Sequence, residues 1–316
     1  MNLKISLTLI VLGFSMSAIA QDKKITKSFT GIKEIEISTA SGDCDLMKSS
    51  SASVAVELTY SYDDDRFEPI LEQDGSTLKL KEKFRNNSSG SGNSHWEIAI
   101  PDNIKIKYNS GSGNLNAKSI TAEISTNSGS GDIELSSVIG DFNANTGSGE
   151  VSIEDYSGSL KINTGSGDVA VTNSKGDISI NLGSGDIDTD NIEGAFSFNA
   201  GSGDISVRDA VLTGSSSFNS GSGNAKVVLK SELKNNISIN SGSGNATLDF
   251  NGAKIEGIIT MKANKKNGEI SAPFKFDSET EEENGNQTVM KKTAKIGTSN
   301  VEIKIATGSG RATIEQ

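Results

Sequence analysis

Five acidic residues at regular intervals are the best candidates for metal ligands, and each follows a Gly-Ser-Gly triplet. They recur about every 18 positions and are Asp132, Glu150, Asp168, Asp186 and Asp204. Carboxylates at such intervals are candidate Ca²⁺ ligands, because Gly/Asp nonapeptide repeats bind Ca²⁺ in one type of parallel β-helix. The second half of each unit lacks the Gly-Gly-x-Gly-x-Asp pattern of those repeats. The sequence therefore predicts at most a weak Ca²⁺ site, and local hydrogen bonds in a turn are an equal alternative.

The sequence contains one histidine, His95, and one cysteine, Cys44. A catalytic His95 would need clustered partners, so a surface or loop position is the simpler interpretation. Cys44 stands two residues after Gly42, as Ile133 stands two residues after Gly131. We therefore expect a buried, inert thiol in the place of an aliphatic side chain. Evenly spread acids and a single tryptophan also argue against a polysaccharide-cleaving site. We predict no catalytic residue and no cofactor apart from the weak Ca²⁺ site.

One repeated triplet organises the chain around these residues. Gly-Ser-Gly begins at Gly111, Gly129, Gly147, Gly165, Gly183, Gly201, Gly221 and Gly242. The interval is constant from Gly111 to Gly201 and slightly longer at the next two copies, and a ninth copy begins at Gly308 after an insertion. Short repeats of this kind form solenoids, because each unit must bury its apolar face against its neighbours.

Apolar and polar residues alternate in two short stretches of each unit. Counted from the first glycine of the triplet, the apolar positions are +4, +6, +13 and +15; after Gly165 they hold Val169, Val171, Ile178 and Ile180. A period of two indicates β-strands. Two strands in each unit of about 18 residues, stacked in parallel about 4.8 Å apart, predict an all-β, single-chain parallel β-solenoid. We expect the right-handed form, since parallel crossovers are right-handed.

Two further features of the repeat have structural interpretations. The triplet glycines are expected at corners with positive φ angles, which other residues resist. Asparagine lies two residues before each of the first eight triplets, at Asn109, Asn127, Asn145, Asn163, Asn181, Asn199, Asn219 and Asn240. In a parallel stack these amides would hydrogen-bond to one another along the solenoid axis.

Composition and repeats divide the chain into four segments. These are a signal peptide at 1–20, irregular β-rungs or a cap at 21–108, regular repeats at 109–250 and C-terminal rungs with a charged loop insertion at 251–316. The signal peptide is predicted from Lys4, the apolar run after it and a small-x-small site that ends at Ala20. The acidic stretch 277–286 is expected to be a solvated loop. Residues 301–314 are expected to form a terminal rung that faces water.

The formal net charge of −11 limits the class of partner. Nucleic acid is an unsuitable partner, because its binding depends on basic surfaces. Once the signal peptide is removed, we expect no transmembrane segment, because no apolar stretch is long enough to span a bilayer. We therefore expect an exported protein in the periplasm, at the cell surface or outside the cell, with an unknown protein or glycan partner.

These motifs together resemble a bacterial family of β-strand-repeat proteins that are proposed adhesins of unassigned function. The matching features are the opening 29–35, the Ser-Gly-Asp unit at 41–43, the strand end at 98–101, the serial Gly-Ser-Gly-Asp units and the closing 306–310. They are also similar in style to the β-helices of adhesin head domains. The resemblance implies the fold and no site residues. We expect a structural or adhesin-like interaction protein; the alternative is a carbohydrate-binding or carbohydrate-modifying β-helix.

Overall fold

A computed structural model describes residues 22–85, 92–285 and 287–316 of the chain. Within those residues it contains β-strands and no helix, which confirms the all-β prediction. The predicted signal peptide, residues 1–20, lies outside the described residues. The strands form two long sheets, which we call sheet A (14 strands) and sheet B (15 strands).

The N-terminal part of the chain supplies strands to both sheets before the regular repeats begin. Its strands are β1 (Lys23–Phe29), β2 (Glu34–Thr39), β3 (Asp43–Lys48), β4 (Val54–Tyr60), β5 (Phe67–Asp74), β6 (Thr77–Phe84), β7 (Ser94–Ile100) and β8 (Ile104–Ser110). β5 and β6 form an antiparallel hairpin in sheet B. In sheet A, β4 pairs antiparallel with β1 on one side and with β7 on the other.

The regular repeats follow as strands that alternate between the two sheets. They are β9 (Leu115–Lys118), β10 (Ala122–Ser128), β11 (Ile133–Ser136), β12 (Phe142–Thr146), β13 (Val151–Glu154), β14 (Leu160–Thr164), β15 (Val169–Lys175), β16 (Ile178–Leu182), β17 (Ile187–Gly194), β18 (Phe196–Ala200), β19 (Ile205–Leu212), β20 (Ser216–Ser220), β21 (Ala225–Leu229), β22 (Ile237–Ser241) and β23 (Ala246–Asp249). Odd-numbered strands of this series lie in sheet A and even-numbered strands in sheet B.

Neighbouring strands of this array are parallel and in register. Phe142 of β12 lies opposite Leu160 of β14, which is one repeat unit further along the chain. In sheet B the register is kept where the unit lengthens, since Phe198 of β18 lies opposite Phe218 of β20, and Phe218 lies opposite Ile239 of β22. In sheet A the pairing of β19 with β21 shifts in register between Val207 and Ala210, which accommodates the longer unit. The predicted parallel β-solenoid is thereby confirmed. We call the two strands and corners of one unit a rung.

Side chains at the four predicted apolar positions form one continuous core between the sheets. Val169, Val171, Ile178 and Ile180, for example, are each at most 2% exposed. A fifth inward position at +9 was not predicted, and it holds Ile120, Val138, Tyr156, Ser174, Ile192 and Ala210. Each follows a residue with a left-handed backbone (φ 49–57°). This turn interrupts the alternation, which is why a search for a period of two missed the position.

The triplet glycines are needed for a different reason from the one expected. Among those from Gly111 onward in the described residues, only Gly185 has a positive φ. The prediction was therefore wrong for the others. A Cβ on Gly149 would instead lie 2.0 Å from the carbonyl oxygen of Gly131 in the preceding rung. Close stacking of backbones at this corner leaves no room for a side chain.

The C-terminal part adds strands that continue both sheets. They are β24 (Gly257–Asn264), β25 (Glu269–Ser271), β26 (Ser278–Asn284), β27 (Gln287–Ile296), β28 (Glu302–Thr307) and β29 (Arg311–Glu315). β28 and β29 stack directly on β22 and β23. β24 and β25 stack on their outer side, so the rung expected to be terminal is internal.

Residues 278–284 of the acidic stretch expected to be a loop form a β-strand instead. β26 pairs antiparallel with β27 at the edge of sheet B. Its glutamates meet lysines: Glu279 lies 2.9 Å from Lys292, and Glu282 lies 2.8 Å from Lys262 and 3.1 Å from Lys291. Hydrogen bonds from Lys262 and Lys291 lower the pKa of Glu282. Cross-strand pairing of opposite charges therefore allows an acidic segment to be a strand.

Candidate functional site

The structure stacks the five predicted acids in a column at one corner of the solenoid. The carboxylate of Asp168 accepts a hydrogen bond from the backbone N–H of Asp186 at 2.8 Å, and that of Asp186 accepts one from Asp204 at 2.8 Å. Asp132 accepts from the N–H of Glu150 in the same way, at 2.9 Å. Four of the five acids thus supply the same hydrogen bond, since Asp204 accepts from Asn224. The exception in the described residues is Glu150, whose longer side chain makes no such bond to Asp168.

The column continues with uncharged side chains beyond the acids. Asn114 accepts a hydrogen bond from the N–H of Asp132, and Asn224 accepts one from Asn245. A short side-chain oxygen, rather than a charge, is therefore what most members of the column share. The acids lie one rung apart, and none of them joins a set of three mutually close ligand atoms in the described residues. The Ca²⁺ site at the column stays a prediction.

The predicted asparagine ladder runs along the outer face of sheet B. Each amide Nδ2 donates to the Oδ1 of the asparagine in the preceding rung, as Asn163 donates to Asn145 at 3.1 Å. The donor–acceptor distances lie between 2.7 and 3.2 Å over the whole series from Asn109 to Asn240. The amides satisfy one another and leave their other faces to solvent.

A second set of corner hydrogen bonds was missed at the sequence level. The residue directly before most triplets is Ser or Thr, and its hydroxyl accepts the N–H of the last triplet glycine. Thr164, for example, accepts from Gly167 at 3.1 Å. The recurrence of Ser or Thr directly before Gly-Ser-Gly could have predicted these hydrogen bonds from the sequence. The pattern is interrupted at two positions, which hold Leu182 and Ala200. This corner is occupied by structural bonds.

His95 lies near the start of strand β7, at the surface and not in a loop. Its outward imidazole Nε2 lies 3.1 Å from a carboxylate oxygen of Asp45 on the adjacent strand β3. Within the described residues, Asp45, His95 and Glu97 are the one set whose ligand atoms all lie within 4.8 Å of one another. The sequence could not reveal this set, because Asp45 and His95 are separated by three strands along the chain.

The other reactive side chains are buried. Cys44 is buried as predicted, and desolvation raises the pKa of its thiol, so a thiolate nucleophile is disfavoured. Burial raises the pKa of Tyr108 to about 12, and its hydroxyl donates to the carbonyl of Gly113 at 2.9 Å. Trp96 is fully buried, and its N–H donates to Glu82 at 3.0 Å. These groups serve the core.

The stacked parallel rungs and their side-chain ladders define a class of all-β repeat protein. A family model described as Toastrack DUF4097 matches residues 32–254, and the chain belongs to this family. No curated protein matches the chain. In the described residues, no helix has the length and apolar character that crossing a membrane requires.

Several solved structures are distantly similar. A proposed cell adhesion protein from Clostridium sporogenes ATCC 15579 has 14% identity and a TM-score of 0.24, over 94% of this chain and 100% of that chain. A proposed lipid-binding protein from Parabacteroides distasonis ATCC 8503 has 15% identity and a TM-score of 0.39, over 94% and 98%. A proposed adhesin from Parabacteroides merdae ATCC 43184 has 14% identity and a TM-score of 0.27, over 93% and 97%.

Proposed function

We propose that the protein is an exported, non-catalytic interaction protein that contacts a protein partner through the outer face of sheet B. The observation that carries this proposal is a nearly uncharged strip on the outer face of the sheet B strands β12, β14, β16, β18, β20 and β22. We call it the amide strip. Its outward residues are Asn143, Asn145, Lys161, Asn163, Ser179, Asn181, Ser197, Asn199, Ser217, Asn219, Ser238 and Asn240. Lys161 is the only charged residue among them.

The amide strip differs from the rest of this acidic surface. Six strands spaced about 4.8 Å apart give it a length of about 24 Å. The outer face of sheet A carries ionic groups instead, such as Asp188 and Asp190 beside Arg208. The cores of protein interfaces are depleted of charged residues, and solenoids bind partners along their extended faces. A groove of about 300 Å³ borders the strip at Lys161, Ser179 and Ser197.

The glycan alternative is less well supported. Many sugar-binding faces carry exposed aromatic rings, whose apolar surface packs against a sugar ring. Trp96 is fully buried, and the large apolar residues that are exposed in the described part of the chain are Met47, Ile139 and Ile258. A protein partner therefore fits the face better. Two of the similar structures are named as adhesion proteins, and adhesion is also a protein-interaction role. The proposal depends on the amide strip and not on those names.

Export is the second part of the proposal, and it rests on the signal-peptide pattern of residues 1–20. The mature protein would then act in the periplasm, at the cell surface or outside the cell. Cell fractionation followed by N-terminal sequencing tests this directly. We expect the protein outside the cytoplasm with Gln21 as its first residue. An uncleaved cytoplasmic protein would contradict export.

Site-specific photo-crosslinking in the source cells tests the binding face. A photoreactive amino acid at Ser197 places the probe on the amide strip, and the same residue at Ser152 places it on the outer face of sheet A. We expect a discrete protein adduct from position 197 and none from position 152. Equal adducts from both positions would contradict the proposed face. Glycan depolymerisation that a single Asp or Glu substitution abolishes would contradict the non-catalytic role.

A further inference from the structure

We propose that Asp45, His95 and Glu97 bind one divalent transition-metal ion of the Zn²⁺ type on the outer face of sheet A. Each residue offers one ligand atom, and the three atoms lie within 4.8 Å of one another. Donors held about 2.1 Å from a tetrahedral ion are about 3.4 Å apart. Small side-chain rotations would therefore close the set around a metal.

The sheet register places the three side chains on one face. Asp45 of β3 lies directly opposite Glu97 of β7. His95 is two residues before Glu97 on the same strand, so both side chains point outward. The imidazole Nε2 already lies 3.1 Å from Asp45 Oδ2. Two paired strands of the folded sheet thus hold all three ligands, which favours a defined geometry over a loop site.

The surrounding residues support the same assignment. Asn116 of β9 donates from Nδ2 to Asp45 Oδ1 at 2.8 Å, which leaves Oδ2 directed at His95. Hydrogen bonds of this kind orient ligating carboxylates in metal sites. Glu57 lies opposite Glu97 on the other side, and Lys24 pairs with Glu57 at 2.5 Å.

The charges of the cluster are only partly balanced. In the described residues, neither Asp45 nor Glu97 forms an ion pair with a lysine or an arginine. Like charges directly opposite one another in a sheet are destabilising. Glu57, Glu97 and Asp45 lie side by side on adjacent strands, and Lys24 compensates only the first. A bound divalent cation would compensate the other two.

The donor set selects the class of metal. Ca²⁺ and Mg²⁺ take oxygen ligands, and an imidazole is a poor ligand for them. One imidazole with two carboxylates suits Zn²⁺ and related first-row ions. Three protein ligands on an exposed face leave a fourth position for water. The ion would also tie β7 to β3, and this site is on the opposite sheet from the amide strip.

Titration of the metal-free full-length protein with ZnCl₂ tests the site. Because the chain has a single histidine, a histidine-free affinity tag makes the imidazole ¹⁵N signals a report on this site alone. We expect one equivalent of Zn²⁺ to shift the Nε2 resonance of His95. In calorimetry, His95→Gln and Glu97→Gln should each weaken Zn²⁺ binding at least tenfold.

Asp188→Asn is the matched control. Asp188 lies in the same row of sheet A as Asp45, and it pairs with Arg208 at 3.7 Å instead of a histidine. We expect this variant to bind Zn²⁺ as the wild type does. Wild-type Zn²⁺ affinity in His95→Gln, or an Nε2 resonance that does not respond to one equivalent, would overturn the proposal.

Discussion

The regular array and the two ends of the solenoid are built by different rules. In the array every strand is parallel to its neighbours, and equivalent positions of successive units lie opposite one another. At the ends the pairing is antiparallel, in β1–β4–β7 and β5–β6 at one end and β24–β27–β26 at the other. A parallel stack exposes an unpaired strand edge and an open core at each end. The ends therefore close a structure that the repeat alone would leave open.

At both ends, additional strands cover the outer side of the last rung. At the N-terminal end, the rung made by β2 and β3 stacks on β8 and β9, and the strands that follow it in sequence cover its outer side. At the C-terminal end, the rung made by β28 and β29 is covered by strands that precede it in sequence. Apart from β1, the capping strands are thus insertions between one outlying rung and the array.

The caps contain an aromatic cluster and edge strands that carry proline or several charges. Tyr60, Tyr62, Phe67 and Phe84 form an aromatic cluster at the N-terminal end, with ring centroids 4.9–5.3 Å apart. The final edge strands of sheet B carry Pro69 in β5 and a run of glutamates in β26. Proline and charge on an edge strand discourage pairing with another chain. We infer that the caps keep the stack from growing end to end.

The substitution with the largest expected effect disrupts the hydrophobic core of the array. Ile178→Asp places a carboxylate at a site that is 2% exposed, and we expect a loss of about 4 kcal/mol in the free energy of unfolding. Ser179→Asp places the same group on the outer face one residue later and should change it by less than about 0.5 kcal/mol. Urea unfolding measures both variants. Equal losses would contradict the inward and outward assignment.

A second pair of substitutions compares the stability lost at a glycine of the array with that lost at a glycine of a cap. Gly149→Ala sets a Cβ 2.0 Å from the backbone of Gly131, and rungs on both sides restrain any shift. We expect a loss of about 3 kcal/mol. Gly75, in the β5–β6 turn, has φ +61°, and a Cβ at this position would meet nothing within 4 Å. Gly75→Ala should therefore lose only about 1 kcal/mol, from backbone strain. A larger loss at Gly75 in thermal unfolding would refute the stacking argument.

The same contrast explains what the sequence could and could not reveal. The positions of Val169, Val171, Ile178 and Ile180 were predictable, because a period of two repeated over several units identifies inward residues. The caps were not, because their strands pair across long sequence separations without a repeat. The stretch 277–286 was expected to be a loop because its charges look solvated, and its lysine partners lie on strands that only the fold brings near. His95 and Asp45 meet for the same reason.

A third prediction compares the middle of the asparagine ladder with its end. Asn163 donates to Asn145 and accepts from Asn181, whereas Asn109 accepts only from Asn127. These amides border solvent, so water replaces part of each lost bond. We expect Asn163→Ala to lower the free energy of unfolding by about 1 kcal/mol and Asn109→Ala by about half of that. Greater sensitivity at Asn109 would show that the ladder is not an axial network.

The smallest expected effect separates charge from hydrogen bonding in the acidic column. Asp186 accepts the N–H of Asp204 at 2.8 Å, and an amide oxygen makes the same bond. Asp186→Asn should therefore keep the bond, although a neutral acceptor weakens it, and it also relieves repulsion of about 1 kcal/mol or less from the neighbouring acids. Because these two effects oppose each other, we expect the free energy of unfolding to change by less than about 0.5 kcal/mol. Asp186→Ala removes the acceptor and should lose about 1 kcal/mol. Thermal unfolding of the three proteins in EDTA and in millimolar Ca²⁺ measures both effects.

A Ca²⁺-dependent rise in Tm confined to the wild type would support cation binding by the column, because the hydrogen-bond role alone predicts the same response in wild type and Asp186→Asn. A loss in Asp186→Asn as large as that in Asp186→Ala would show that the charge, and not the short oxygen acceptor, holds this corner.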